Sequence, residues 1–220
     1  MPELDLEKNG DVFVVTLDNP STGNAINTAS LSAHREILAE LETVKENSAV
    51  VVTSSDPKSW CVGLDFDWIR EQSEQEFGET FREVEEVFER WALLSLPTIA
   101  CITGHCIAGG AFLASVMDIR LMRADSGWFA FTEIDVKIPP SPKLYLMADL
   151  LPNKQAVREL LLTGRRVGGD EAQKLGLVDE SYLQEKLLPR AMEFAQQLAQ
   201  KDLETYRKIK HLLKRDLVEQ

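Results

Sequence analysis

Cysteine is scarce in this chain: Cys61, Cys101 and Cys106 are the full complement in 220 residues. An odd number, two of them in apolar surroundings, argues for buried free thiols in a reducing compartment rather than a disulfide framework. No C-x-x-C pair and no cluster of histidines has metal-ligand spacing, so no metal is expected. No plausible general base is identified beside Cys106, which argues against a catalytic thiol there. Positive charge is also in short supply. With 24 Lys and Arg against 36 Asp and Glu, the net charge is −12. A nucleic-acid partner is therefore not expected, and an anionic ligand must be caught by local cations. No apolar run reaches the length of a membrane span, and the opening MPELDLEKNG does not resemble a signal or transit peptide. Val218-Glu219-Gln220 is not a peroxisomal SKL-type address, which leaves a cytoplasmic location as the default expectation. Internal repeats and low-complexity tracts are lacking as well.

A hydrophobic content of 44% is enough for one sizeable core. The organising stretch is Leu96 to Arg123, centred on Gly104-His105-Cys106-Ile107-Ala108-Gly109-Gly110. Pro97 to Thr103 has the composition of a strand buried on both faces, and Ala111 to Met117 that of a buried helix. Glycines at such a strand-to-helix junction let a ligand approach the backbone, where the first N–H groups of the helix have no intrahelical partner. Those donors and the helix dipole favour negative charge, or an oxyanion if the charge develops during a reaction. Tight helix–strand packing explains Gly109 and Gly110 equally well.

Strands are expected at Asp11 to Leu17, Ala49 to Thr53 and Asp118 to Met122. Asn27 or Thr28 caps a helix that runs from Ala29 to Val44. Glu74 to Leu94 is a long amphipathic helix with Phe77, Phe81, Val84, Val87, Phe88, Trp91 and Leu94 on its apolar face. Leu144 to Leu151, Lys154 to Leu162 and Asp170 to Leu175 are short helices, the last with Asp170 as its cap. Leu183 to Ala199 and Leu203 to Val218 form a helical tail. Strands alternating with helices indicate an α/β domain.

Three further features are candidates for chemistry. Trp60-Cys61-Val62-Gly63-Leu64 leads to a glycine after which a backbone N–H can face a ligand, although a plain tight turn fits as well. Trp128-Phe129-Ala130-Phe131-Thr132-Glu133 runs from aromatics into a carboxylate. Desolvation there would raise the pKa of Glu133, as a base working near neutral pH requires, unless Glu133 merely starts a helix or faces solvent. Arg207, Lys208, Lys210, Lys214 and Arg215 form a basic run that is either a solvated face or a phosphate contact. Asp118 is expected to make local hydrogen bonds.

The order and spacing of these features resemble the crotonase, or enoyl-CoA hydratase/isomerase, superfamily along nearly the whole chain. The stretches that carry the resemblance are VVTLDNPSTGNAIN (14–27), CVGLD (61–65), LPTIACITGHCIAGGAFLASVMDIR (96–120), FAFTE (129–133) and LLLTGRRVGGDEAQKLGLV (160–178). The resemblance implies a spiral of ββα units over residues 1–180 and a C-terminal helical region, 181–220, that builds homotrimers or hexamers. It implies an oxyanion hole for an acyl-CoA thioester at the N–H groups of Leu64 and Gly109, with Val62, Gly63 and Gly110 beside it. Lys58 matches a position that often meets the phosphates of CoA, helped by the C-terminal lysines. Asp67 replaces a second lysine carried by some hydratases. CoA belongs to the substrate, so no separate cofactor is implied.

Departures from the family pattern point to the reaction. Hydratases of this family use two glutamates; the first would fall at Phe112, which cannot accept a proton and tends to exclude water. The second is retained as Glu133. A single carboxylate beside an enolate site is the pattern of the Δ3,Δ2-enoyl-CoA isomerases of fatty-acid β-oxidation, which the segment EIDVKIP (133–139) also resembles. Pro140-Ser141-Pro142-Lys143 replaces a glycine-rich segment and leaves the acyl-pocket wall open to question. Hydration, thioester hydrolysis, decarboxylation and acyl-CoA binding without turnover remain alternatives on the same scaffold.

Overall fold

The computed structural model describes residues 3–217. The chain runs β1 (Leu4–Asn9), β2 (Val12–Leu17), α1 (Thr28–Leu41), β3 (Ala49–Ser54), β4 (Ser59–Cys61), α2 (Phe66–Arg70) and α3 (Glu74–Leu93). It continues through β5 (Thr98–Ile102), β6 (His105–Ile107), α4 (Gly109–Val116), β7 (Ile119–Arg123), β8 (Phe129–Ala130) and α5 (Glu133–Val136). It finishes with α6 (Pro142–Ala148), α7 (Lys154–Thr163), α8 (Gly169–Lys174), β9 (Glu180–Tyr182), α9 (Gln184–Ala199), α10 (Leu203–Leu213) and a 3-10 turn, Arg215–Leu217.

Two sheets result, a large one in the order β1-β2-β3-β5-β7-β9 and a small one in the order β4-β6-β8. From β3 onward, the first strand of each pair enters the large sheet, the second enters the small sheet, and a helix follows. This is the expected stack of ββα units. All strand pairs are parallel except β1 with β2.

The central strands β3 and β5 of the large sheet are covered on both faces, which is why they read as unbroken apolar runs. Val50 and Val52 face the main core with Phe13, Val15, Ala100 and Ile102. Their neighbours Ala49 and Val51 face the other way, joining Val12, Ile99 and Cys101 under Ala191, Ala195 and Ala199 of α9. Small side chains along that helix let it lie close against the sheet.

Asn27 is the cap of α1. Its side chain accepts the Ser30 N–H at 3.0 Å, while Ser30 Oγ accepts the Asn27 N–H at 2.9 Å. Asp170 is not a cap: Gly168 occupies that position in α8, and Asp170 accepts instead from Ser181 Oγ at 2.6 Å. β1 was not expected, because its sequence LDLEKN mixes charge with two leucines and pairs only at a sheet edge. Between β5 and the glycine-rich turn lies another strand, β6, so the junction preceding α4 belongs to the small sheet. The tail helix ends at Leu213, and Val218 lies outside the described residues.

Two members of the basic run at the C-terminus, Lys210 and Lys214, are neither solvated nor free to meet a phosphate. Lys210 and Lys214 are 3% and 7% exposed, and their Nζ atoms lie 2.8 and 2.7 Å from the two Asp118 carboxylate oxygens. Lys210 also donates to Leu96 O, and Lys214 to Val116 O and Ala92 O. Asp118 thus bonds far along the chain, also accepting from Tyr206 OH and the Thr98 N–H. A local role was expected from its neighbours in sequence; its partners lie in β5, in α10 and at the end of α10. Arg207, Lys208 and Arg215 stay exposed.

Candidate active site

Leu64 is held by an isolated parallel bridge to Ile26. The Ile26 N–H donates to Gly63 O at 2.7 Å and the Asp65 N–H to Ile26 O at 2.9 Å. In such a bridge the middle residue turns its own N–H away from the partner strand. The Leu64 N–H accordingly meets no acceptor among the described residues. Asp65 then caps α2, its Oδ1 accepting the N–H groups of Asp67 and Trp68.

The second free donor comes from the turn between β6 and α4. Ala108 has a φ of +51°, uncommon for a residue with a Cβ. This conformation turns its carbonyl into the helix, where it accepts from Ala111 and Phe112, while its own N–H donates to Ala130 O. Gly109 opens α4 with an N–H that meets no acceptor among the described residues. Gly63 and Gly109 are in direct backbone contact. A Cβ on Gly63, whose φ is +88°, would lie 2.9 Å from the Gly109 nitrogen, and a Cβ on Gly109 would lie 3.2 Å from Gly63 Cα. Absence of both side chains is what brings two backbone donors to one place.

Glu133 reaches the same place from β8. Phe129 and Phe131 anchor the approach in the core at 0% exposure, and Glu133 begins α5, whose end is set by Lys137 in the left-handed region. Starting a helix and lying against apolar surface were separate alternatives in the sequence; Glu133 does both. Its Oε2 is buried with no hydrogen-bond partner among the described residues. Burial raises its pKa from 4.5 to about 7, opposed by a hydrogen bond from its own backbone N–H.

The cavity that these groups share measures about 530 Å³ including its mouth. It is lined by Leu64, Ala108, Gly109, Phe112 and Glu133 from the site and by Phe81, Val84 and Phe88 of α3. Phe66, Val136, Ile138, Pro140 and Leu144 complete the wall. Glu133 is the one ionisable side chain among these lining residues. Phe112 is 1% exposed, with its ring centre 4.8 Å from that of Phe131.

Leu64, Gly109, Phe112 and Glu133 are therefore brought together. Gly63 stands directly behind the donors. Val62 and Gly110 do not line the cavity. Val62 is turned toward Gly23, and a Cβ on Gly110 would lie 2.1 Å from Cys61 O, so Gly110 permits packing rather than ligand contact. Lys58 is exposed on the loop before β4, outside the cavity, with its N–H on Asp56 Oδ1. Burial pushes the Cys61 and Cys101 thiols up to about 12 and Cys106 well above its usual range, so all three are poor nucleophiles. Among the described residues, no three His, Cys, Asp or Glu side chains converge as metal ligands, and no helix is long and apolar enough to cross a membrane. The contribution of α3 to the cavity was not legible, because an apolar stripe at helical spacing looks the same whether it meets a core or an empty space.

The model for the family described as Enoyl-CoA hydratase/isomerase matches residues 7–220. A short-chain-enoyl-CoA hydratase of Clostridium acetobutylicum is 30% identical over 194 residues, covering 88% of this chain and 74% of the relative. Enoyl-CoA delta isomerase 2, peroxisomal, of Arabidopsis thaliana is 33% identical over 185 residues, covering 80% and 75%. Among solved structures, a probable enoyl-CoA hydratase, EchA3, of Mycobacterium tuberculosis superposes with a TM-score of 0.91 at 21% identity, covering 98% of this chain and 90% of that one. That likeness carries the fold, an α/β crotonase fold. With the family model spanning nearly all of its length, the chain belongs to the enoyl-CoA hydratase/isomerase family, the crotonase superfamily.

Proposed function

We propose that this protein is an enoyl-CoA isomerase that shifts the double bond of a 3-enoyl-CoA to give the trans-2-enoyl-CoA. The observation that carries the reading is that, among the described residues, Glu133 is the sole ionisable side chain lining an apolar cavity, and Phe112 lines it at the position that the family resemblance gives to a second, water-activating carboxylate. The thioester oxygen accepts from the Leu64 and Gly109 N–H groups. Glu133 removes a proton from C2, made acidic by the thioester and the adjacent double bond. Negative charge moves to the oxygen and is stabilised by the two donors and the N-terminus of α4. The same carboxyl returns the proton at C4, so no water, metal or redox cofactor enters the sequence. Phe112 keeps the space beside Glu133 dry, which sustains its raised pKa and suppresses hydration.

Lys58 is the cation assigned to a CoA phosphate, now without help from Lys210 and Lys214. The family reading also carries a homotrimer or hexamer, for which Ile209, Leu212 and Leu213, 53 to 75% exposed on α10, offer an apolar face. A place in fatty-acid β-oxidation follows from the substrate class.

Relatives named as hydratases support a second reading, addition of water to a 2-enoyl-CoA, and one assay separates the two. Trans-3-hexenoyl-CoA and crotonyl-CoA are offered side by side to the wild type and to Glu133→Gln. Turnover of the first substrate only, lost in the variant, supports the isomerase. Rapid hydration of crotonyl-CoA overturns it.

A further inference from the structure

The segment that replaces the glycine-rich stretch of the family is tied to α3 at two points. Ser141 Oγ donates to Glu85 Oε1 at 2.5 Å, and Lys143 Nζ donates to Glu89 Oε2 at 2.6 Å. Glu85 and Glu89 are one helical turn apart and sit beside Val84 and Phe88, which line the cavity. The clasp thus joins two segments that both contribute lining residues. Ser141 Oγ accepts the Leu144 N–H as the cap of α6, and Leu144 is a lining residue only 4% exposed. Prolines at 139, 140 and 142 stiffen the rest by fixing φ and restricting the residue before each.

Pro140 has a cavity on either side. One face lines the cavity that holds Glu133; the other lines an open groove of about 1260 Å³ along α6 and α7. That groove carries Tyr145 and Leu162, 49% and 69% exposed, together with Val157 and Leu161, and its lining also includes the charged Asp149, Lys154 and Arg158. An exposed, largely apolar strip separated from a buried apolar cavity by Pro140, the residue that lines both, suits the distal part of a long acyl chain.

We propose that Glu85–Ser141 and Glu89–Lys143 form a latch that sets acyl-chain length. Latched, the Pro140 wall confines the cavity to short acyl groups. Released, the wall opens and a long chain passes into the groove of Tyr145 and Leu162. The inference rests on the acyl-CoA reading of the site, and it makes Glu85, Glu89, Ser141 and Lys143 specificity residues that do not touch the reacting atoms.

The test is calorimetric binding of saturated acyl-CoAs, hexanoyl and palmitoyl, which needs no turnover. It compares the wild type with Glu85→Leu/Lys143→Met and, as a variant acting on the wall alone, Pro140→Gly, each checked for folding by circular dichroism. The wild type is expected to bind hexanoyl-CoA at least about tenfold more tightly than palmitoyl-CoA, and release of the latch to tighten palmitoyl binding about tenfold with hexanoyl within about twofold. An unchanged ratio in both folded variants, or a wild type that already binds palmitoyl-CoA as tightly, overturns the latch and leaves the acyl-CoA reading standing. No binding of either ligand by the wild type removes the acyl-CoA reading itself, and the latch with it.

Discussion

Lys214 Nζ stands 2.7 Å from Asp118 Oδ1, although 96 positions separate the two residues. With Lys210 on the other oxygen, one carboxylate holds two buried ammonium groups and fastens α10 across the ends of α3 and α4. Removing the acid leaves both largely buried charges without their counter-ion. Asp118→Asn is expected to lower stability by about 3–5 kcal/mol, read from urea unfolding. A loss below about 1 kcal/mol would mean that the cluster is not a structural tie.

The same cluster makes stability acid-sensitive. Burial alone would raise the Asp118 pKa, but the charges of Lys210 and Lys214 and their hydrogen bonds outweigh it and lower the value from 3.8 to about 2. A carboxyl whose folded pKa lies below its unfolded one contributes stability that is present above the unfolded value and lost as pH falls through the folded one. Urea midpoints should therefore fall between about pH 4 and pH 2 in the wild type. Asp118→Asn should lack that component.

Glu133 has the opposite sign. Its folded pKa of about 7 lies above the reference value of 4.5. Its contribution to stability is complete below about pH 4.5 and is lost as pH rises through about 7, when the ionised carboxylate must be held in an apolar wall. Glu133→Gln should consequently be more stable than the wild type at pH 8, by at most about 3 kcal/mol, with the advantage vanishing near pH 4. Thermal melts at the two pH values decide this, and equal melting temperatures at pH 8 would contradict the buried-base assignment.

In the reaction only the ionised form takes a proton from C2. On the isomerase reading, kcat/KM should rise with a single ionisation near pH 7 and level off above it. Phe112→Ala admits water beside the carboxylate, so this midpoint should move down toward the usual carboxylate range. The substitution should also cost about 3–5 kcal/mol of stability. A midpoint unmoved in a folded Phe112→Ala variant would remove the drying role of the ring.

Gly63→Ala tests the paired donors. The new Cβ would lie 2.9 Å from both Ala108 Cβ and the Gly109 nitrogen, at a φ of +88° that alanine resists. Displacing one donor should reduce kcat by about 10²–10³. Single-turnover kinetics beside acyl-CoA binding separate this from lost affinity. Full activity in the variant would place the oxyanion elsewhere.

Local elements were legible because their signals are local. Val12–Leu17, Ala49–Ser54 and Thr98–Ile102 are apolar runs suited to strands covered on both faces, and Asn27 carries its cap partner three residues away. The glycine turns and the carboxylate that follows three aromatic-rich positions were equally visible. An α3 helix was visible too, but not the cavity on its apolar side.

The roles of the Leu64 and Gly109 donors and of Phe112 came only with the family resemblance. What the sequence determined by itself is the α/β alternation, the glycines at 63 and 109, and the carboxylate of Glu133 after an aromatic run. Each depends on residue type and short spacing, which covalent geometry translates directly into backbone conformation. What only the tertiary structure decided is which distant groups meet. Lys210 and Lys214 read as surface charge until Asp118 is found beneath them. Glu85 and Glu89 belong simply to the polar side of an amphipathic helix until Ser141 and Lys143 close on them. A charged side chain is equally compatible with water or with a buried partner, and the energy that chooses between them comes from contacts between segments far apart in the chain.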